Sequence, residues 1–154
     1  MKQTIILFVF LATSTMLSQR FYYSPGLQVG YTFGEGASIG FKCSLGYFDD
    51  GKNKKFNFTN ITIGHTYHFN KRVQSHYYSQ FQHGRMFNAI IYGASAGYAF
   101  FKGNKSIIYA PKLSVFSGLF AYPTIDFIWK DKNPLINLHT EVSLPIVPSY
   151  KWRL

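Results

Sequence analysis

"GLQVGYTFGEGASIGFKCSLGYFDD", residues 26–50, alternates almost without interruption between two unusual kinds of residue. Leu27, Val29, Tyr31 and Phe33 fall on one face of an extended chain, and Gln28, Gly30, Thr32 and Gly34 on the other. After Glu35-Gly36 the pattern resumes, with Ala37, Ile39, Phe41, Cys43, Leu45 and Tyr47 opposite Ser38, Gly40, Lys42, Ser44 and Gly46. A strand of a soluble sheet turns its large apolar residues to a core and its long charged residues to water. Here the second face is small and mildly polar. A barrel in a lipid bilayer supplies matching surroundings: lipid outside the apolar face, and a narrow interior for Gly, Ser and Thr.

The pattern recurs along the chain, and no helical periodicity follows residue 20. Eight alternating segments are expected: Tyr22 to Phe33, Ala37 to Phe48, Phe56 to Phe69, Val73 to Gln82, Ala89 to Phe101, Ile107 to Phe120, Tyr122 to Lys130, and an eighth from Leu135. Turn chemistry separates them, as in "DDGKNKK", "NKR", "HGRMFN", "KGNKS" and "KDKNP". Short connections imply antiparallel neighbours in up-and-down order. The expected fold is therefore all-β: an eight-stranded antiparallel up-and-down transmembrane β-barrel. Eight strands leave an interior that side chains fill. The alternative is a soluble sandwich or lipocalin-like cup, which would have to hide an unusual number of outward aromatics.

Ahead of the strands, Lys2, the apolar run Ile5 to Ala12 and the small polar stretch "TSTMLSQ" read as a secretory signal peptide. The expected division is residues 1–18 as a cleaved signal peptide and 19–154 as the barrel. The run is too short to span a bilayer, which takes about 20 apolar residues. The single cysteine, Cys43, cannot form an internal disulfide, so backbone pairing in a closed sheet must hold the exported chain. The net charge of +10 sits in separated clusters among the turns, such as Lys52, Lys54 and Lys55, or Lys71 and Arg72. Solvated turns or contact with anionic headgroups explain that placement. With a signal peptide, a nucleic-acid partner is not expected.

"GLQVGYTFG", "YGASAGYAFF" and "YAPKLSVFSG" give the chain its likeness: it resembles the small outer-membrane β-barrel proteins of Gram-negative bacteria, and its Tyr- and Lys-rich composition resembles members from Bacteroidota. The resemblance covers nearly all of residues 19–154 and rests on pattern. It implies residence in the outer membrane among lipid and lipopolysaccharide, and insertion by the barrel-assembly machinery. Aromatic belts are expected at the segment ends: Tyr22, Tyr23, Phe33, Tyr47, Phe48, Phe56, Phe69, Phe100, Phe101, Tyr122, Trp129 and Trp152. The last strand departs from the family pattern, since the chain ends in Leu154, and Pro145 and Pro148 each lack a donor.

By strand phase, Lys42, Lys112, Asp126, His139 and Glu141 point inward, and charges at membrane depth need partners. A lumenal polar network of these five is expected. A narrow small-solute channel is one rival. The other is a lipid A deacylase-like enzyme, for which "LHTEVS" offers His139, Glu141 and Ser143. That spacing departs from the family's His and Ser two residues apart, and same-face residues on a strand lie about 6.6 Å apart. His65, His68, His76 and His83 read as scattered interface or turn histidines, so no metal and no cofactor are expected. The expected role is non-catalytic: a structural or accessory barrel, a subunit or partner of a larger outer-membrane assembly.

Overall fold

Eight extended segments form where the alternation runs: β1 (Arg20–Thr32), β2 (Gly36–Asp50), β3 (Phe56–His68), β4 (His76–Phe87), β5 (Ile90–Lys102), β6 (Ile107–Gly118), β7 (Ala121–Ile128) and β8 (Leu135–Ser143). The computed structural model describes residues 20–34, 36–50, 56–69, 75–88, 90–102, 106–119, 121–130 and 134–147. The expected signal peptide and Trp152 lie outside the described residues. Gly34 (φ 80°) and Gly36 (φ 98°) turn the chain from β1 into β2 through the left-handed region that favours glycine. Asn88 (φ 49°) does the same between β4 and β5, a position that Asn tolerates better than most residues.

Each strand pairs antiparallel with the next, and β8 returns to β1, so the sheet is a closed up-and-down barrel. Closure leaves no edge strand with unpaired backbone groups. A row of paired residues leaves β6 at Tyr109 and passes through Phe100, Tyr77, His65, Phe41, Leu27, Val142 and Ala121. Continued along the β6–β7 ladder, it re-enters β6 at Leu119. The offset from 109 to 119 is ten residues, and with eight strands it sets a tilt of about 40°. The connections β1–β2, β3–β4, β5–β6 and β7–β8 lie at what we term the upper end. The lower end holds the other connections and residues 20 and 147.

Burial is inverted relative to a soluble fold. Among the described residues, 8 apolar residues are buried against 22 polar or charged ones, while 31 large apolar residues are exposed. Leu27, Phe41, Leu45, Ile61, Ile63 and Phe81 all point outward at mid-height. Tyr31, Phe33, Tyr67, Phe69, Tyr98, Tyr109 and Trp129 ring the outer surface near the upper end. Phe100 stands beside Tyr109 in an edge-on pair. Phe21, Tyr23, Phe87 and Tyr92 lie near the lower end, with Tyr47 between them in the outward phase of β2.

Several expectations need correction. Strand β4, His76–Phe87, runs past the expected end at Gln82, and "HGRMFN" is mostly strand rather than turn; Val73 and Gln74, the expected start, lie outside the described residues. Its polar outward residues are matched across the sheet: His83 Nδ1 lies 2.8 Å from Thr59 Oγ1, and Arg85 Nε donates to Asn57 Oδ1 at 2.8 Å. Cross-strand partners of this kind keep a polar stretch in the ladder. The eighth strand stops at Ser143, followed by Pro145 and a single bridge between Tyr23 and Ile146. Finally, Tyr22, Phe48, Phe101 and Tyr122 do not join the outer aromatics. They share the phase of the inward residues, and Tyr22, Phe48 and Phe101 are buried inside. Phe56 is also inside, with its ring 4.9 Å from that of Phe48.

Candidate functional site

The interior is built by laying large side chains over glycines of neighbouring strands. A Cβ at Gly64 would collide with the ring of Tyr78, one at Gly84 with Phe58, one at Gly93 with Phe116, and one at Gly30 with His139. None of these four glycines has a positive φ, so space, and not backbone conformation, demands glycine there. In the opening stretch Gly26 makes room for the side chains of Ser143 and Lys42, whereas Gly30, Gly40 and Gly46 lie close against the neighbouring strand itself.

Three zones result. At the lower end Tyr22, Phe48, Phe58, Phe116 and Tyr122 form an aromatic floor. At the upper end, towards β4–β7, Tyr78, Ala99, Phe101, Ala110 and Ile128 form an apolar cluster, with Leu135 against it. Between them lies a polar layer that is 2–3% exposed at each of its charged residues.

The polar layer holds two ion pairs joined by one histidine. Lys42 on β2 arches past Gly26 of β1, where a Cβ would come within 3.1 Å of its Cε, and bonds Glu141 on β8. Lys112 on β6 lies 2.7 Å from Asp126 on β7. Its Nζ also donates to Ser114 Oγ at 3.1 Å and stands 4.6 Å from the centre of the Tyr78 ring. His139 connects the pairs. Its Nε2 is 2.9 Å from Glu141 Oε1, and its Nδ1 is 3.2 Å from Asn137 Nδ2 and 3.5 Å from Asp126 Oδ2. The Asn137 amide can only donate to Nδ1 and an ionised Glu141 can only accept from Nε2, which places the ring proton on Nε2; the Gln28 amide nitrogen, 3.2 Å from that same Nε2, then has Glu141 as its acceptor. Gln28 on β1 donates a further bond to Glu141 Oε1 at 2.9 Å. Two ammonium groups thus meet two carboxylates; Glu141 Oε1 also accepts from Gln28 and His139, whereas Asp126 Oδ1 has the Lys112 ion pair alone. Added hydrogen bonds offset the desolvation of a buried ion pair, and the Glu141 side has more of them.

The five inward residues named from the sequence are therefore gathered into one layer. The sequence reading passed over Gln28, Asn137 and Tyr78, which complete it; all three lie in the inward phase of their strands, where the signal was available. It also misread two histidines. His68 and His76 are not scattered at turns or interfaces but buried inside, their rings 5.5 Å apart. His65, by contrast, faces outward and lies against Tyr77. Cys43 is exposed on the outer wall. For acyl chemistry, Ser143 Oγ makes no hydrogen bond, and His139 Nε2 is engaged with Glu141. Among the described residues no serine is therefore coupled to His139 as a nucleophile. Among the described residues no group of three or more His, Cys, Asp or Glu is placed to hold a metal ion.

Fold and interior together define a class: a closed, antiparallel eight-stranded β-barrel with a filled polar interior and an apolar outer wall. No protein-family model, curated protein or solved structure matches the chain.

Proposed function

We propose that this protein is an integral outer-membrane β-barrel of a Gram-negative bacterium, with a non-catalytic structural or accessory role as a subunit of a larger outer-membrane assembly. The inverted burial carries this reading: apolar residues face out and polar ones are sequestered. The outer wall has the dimensions a bilayer asks for. A 13-residue strand such as β1, tilted by about 40°, rises roughly 30 Å, which compares with an apolar band of about 25 Å in such barrels. Among the described residues no helix is long and apolar enough to cross a membrane, so in this reading strands make the crossing. Aromatics near both ends suit headgroup depth, and basic turns suit anionic lipid and lipopolysaccharide.

The accessory role rests on what the barrel lacks room for. Its interior is occupied by its own side chains, which argues against conduction. Its connections are short, β4–β5 and β6–β7 especially, whereas surface recognition resides in long loops. The wall is the largest surface left for a partner. Extraction of outer membranes in mild detergent is expected to yield the protein with a larger membrane protein in fixed stoichiometry. Recovery as a lone monomer at every detergent concentration, with no partner captured by prior crosslinking, would remove the subunit reading.

A further inference from the structure

His68 ends β3 and His76 begins β4, so the two flank the β3–β4 connection inside the upper mouth of the barrel. Thr66 is the direct partner of His76, which makes His68 and His76 diagonal neighbours on the inward face. They are 3% and 0% exposed, and their ring planes are inclined by 26°. Neither belongs to the ion-pair layer. Three of their four ring nitrogens, His68 Nε2 and both of His76, have no hydrogen-bond partner among the described residues. Buried polar atoms left so lose their hydration without replacement.

The one bond the pair does make fixes a tautomer. Thr32 Oγ1 donates its only hydrogen to Asn137 Oδ1 at 3.1 Å, and it lies 3.3 Å from His68 Nδ1. With its proton committed, the hydroxyl can only accept there, so His68 carries its hydrogen on Nδ1 and presents a bare lone pair at Nε2. Asn137 is oriented in turn by donating from Nδ2 to Asp126 and His139. A histidine anchored through one nitrogen, with the other free, has the arrangement of a metal ligand with its outer-shell partner in place.

We propose that His68 and His76 form a binding site for a divalent transition-metal ion, with one imidazole nitrogen from each and water completing the shell. A cation about 2.0–2.1 Å from a nitrogen of each ring lies roughly 3 Å from each ring centre; centres 5.5 Å apart leave that separation, and because the rings are stacked at 26°, His76 must turn about its side-chain bonds to bring an in-plane lone pair to the shared ion. Imidazole selects Cu2+, Zn2+ or Ni2+ over Mg2+ or Ca2+. Of the ammonium groups inside, Lys112 is already neutralised by Asp126, while Lys130 Nζ stands 4.6 Å from the centre of the Phe101 ring that packs on His76, and its charge opposes the cation. With only two protein ligands the coordination shell is incomplete, unlike that of a closed four-ligand structural centre. This inference rests on the barrel interior and not on the membrane reading.

The test is Cu2+ titration of the purified, folded full chain, read by electron paramagnetic resonance. The expected spectrum shows one bound ion coupled to two imidazole nitrogens, with Zn2+ competing more weakly for the same place. His68→Gln and His76→Gln should each lose one nitrogen coupling and about tenfold or more in affinity, and Thr32→Val about tenfold with both couplings kept. His65→Gln, on the outer wall, should bind as the parent does. Absence of binding, a parent spectrum without two-nitrogen coupling, or coupling unchanged in both His68→Gln and His76→Gln would overturn the proposal. The parent spectrum counts nitrogens whether or not a variant folds.

Discussion

Glu141→Gln is expected to lower the unfolding free energy of the barrel by about 3–5 kcal/mol, the cost of leaving a buried charge without its partner. The stranded charge is Lys42, which is 3% exposed. Its ammonium arches over β1 to reach Glu141 and cannot relax to water without leaving the interior. Glutamine keeps the shape and retains an acceptor for Gln28 and His139, so the loss reads the charge and not the packing. Lys42→Met should cost less, because Glu141 still accepts from Gln28 and His139. The pair Lys42→Met/Glu141→Gln should recover most of the stability, since a buried ion pair replaced on both sides is often neutral. Urea unfolding of the protein refolded into detergent or vesicles measures all three. Single variants within about 1 kcal/mol of the parent, well short of the expected loss, would show that the pair is not sequestered as described.

The second large effect concerns space. Gly64→Val should destabilise by about 3 kcal/mol, at the upper end of ordinary overpacking. The Tyr78 ring lies where the new side chain would stand, and Tyr78 is 2% exposed. To yield, the ring must abandon its contact with Lys112 Nζ at 4.6 Å. Tyr78→Ala alone should cost about 3–5 kcal/mol through the cavity it leaves. The double variant should cost less than the two losses added, by about 1–3 kcal/mol, because valine then fills part of the vacated seat. Strict additivity would mean that the two residues do not share one volume. Gly34→Ala makes a useful contrast: nothing lies near its Cβ, and its cost would come from φ 80° alone.

Strand number, order and closure could be read from the sequence because alternation reports which face each residue occupies, and short turns fix the neighbours. The same parity places Lys42, Lys112, Asp126, His139 and Glu141 inward. It also holds the answer for Tyr22 and Tyr122, which share the phase of Gln28 and of Asp126. Proximity to a strand end suggested a belt, yet parity, the stronger physical signal, sends them inside. What alternation cannot give is the offset around the barrel. The ten-residue stagger brings Lys42 of β2 to Glu141 of β8 across an intervening strand. The stagger is set by turn geometry and by which glycine seats which ring, and no local window contains that information. The β4 boundary failed for another reason. His83 and Arg85 look like turn residues until their partners Thr59 and Asn57 are known.

The most direct test of the central claim, a closed barrel held in the outer membrane by its apolar wall, is heat modifiability. The chain is expressed with residues 1–18 in a Gram-negative host, and the fractionated membranes are run on SDS gels with and without boiling. The account predicts a band confined to the outer-membrane fraction whose mobility changes on boiling, because a closed ladder without edges resists SDS at low temperature. A soluble periplasmic protein with the same mobility before and after boiling would contradict it.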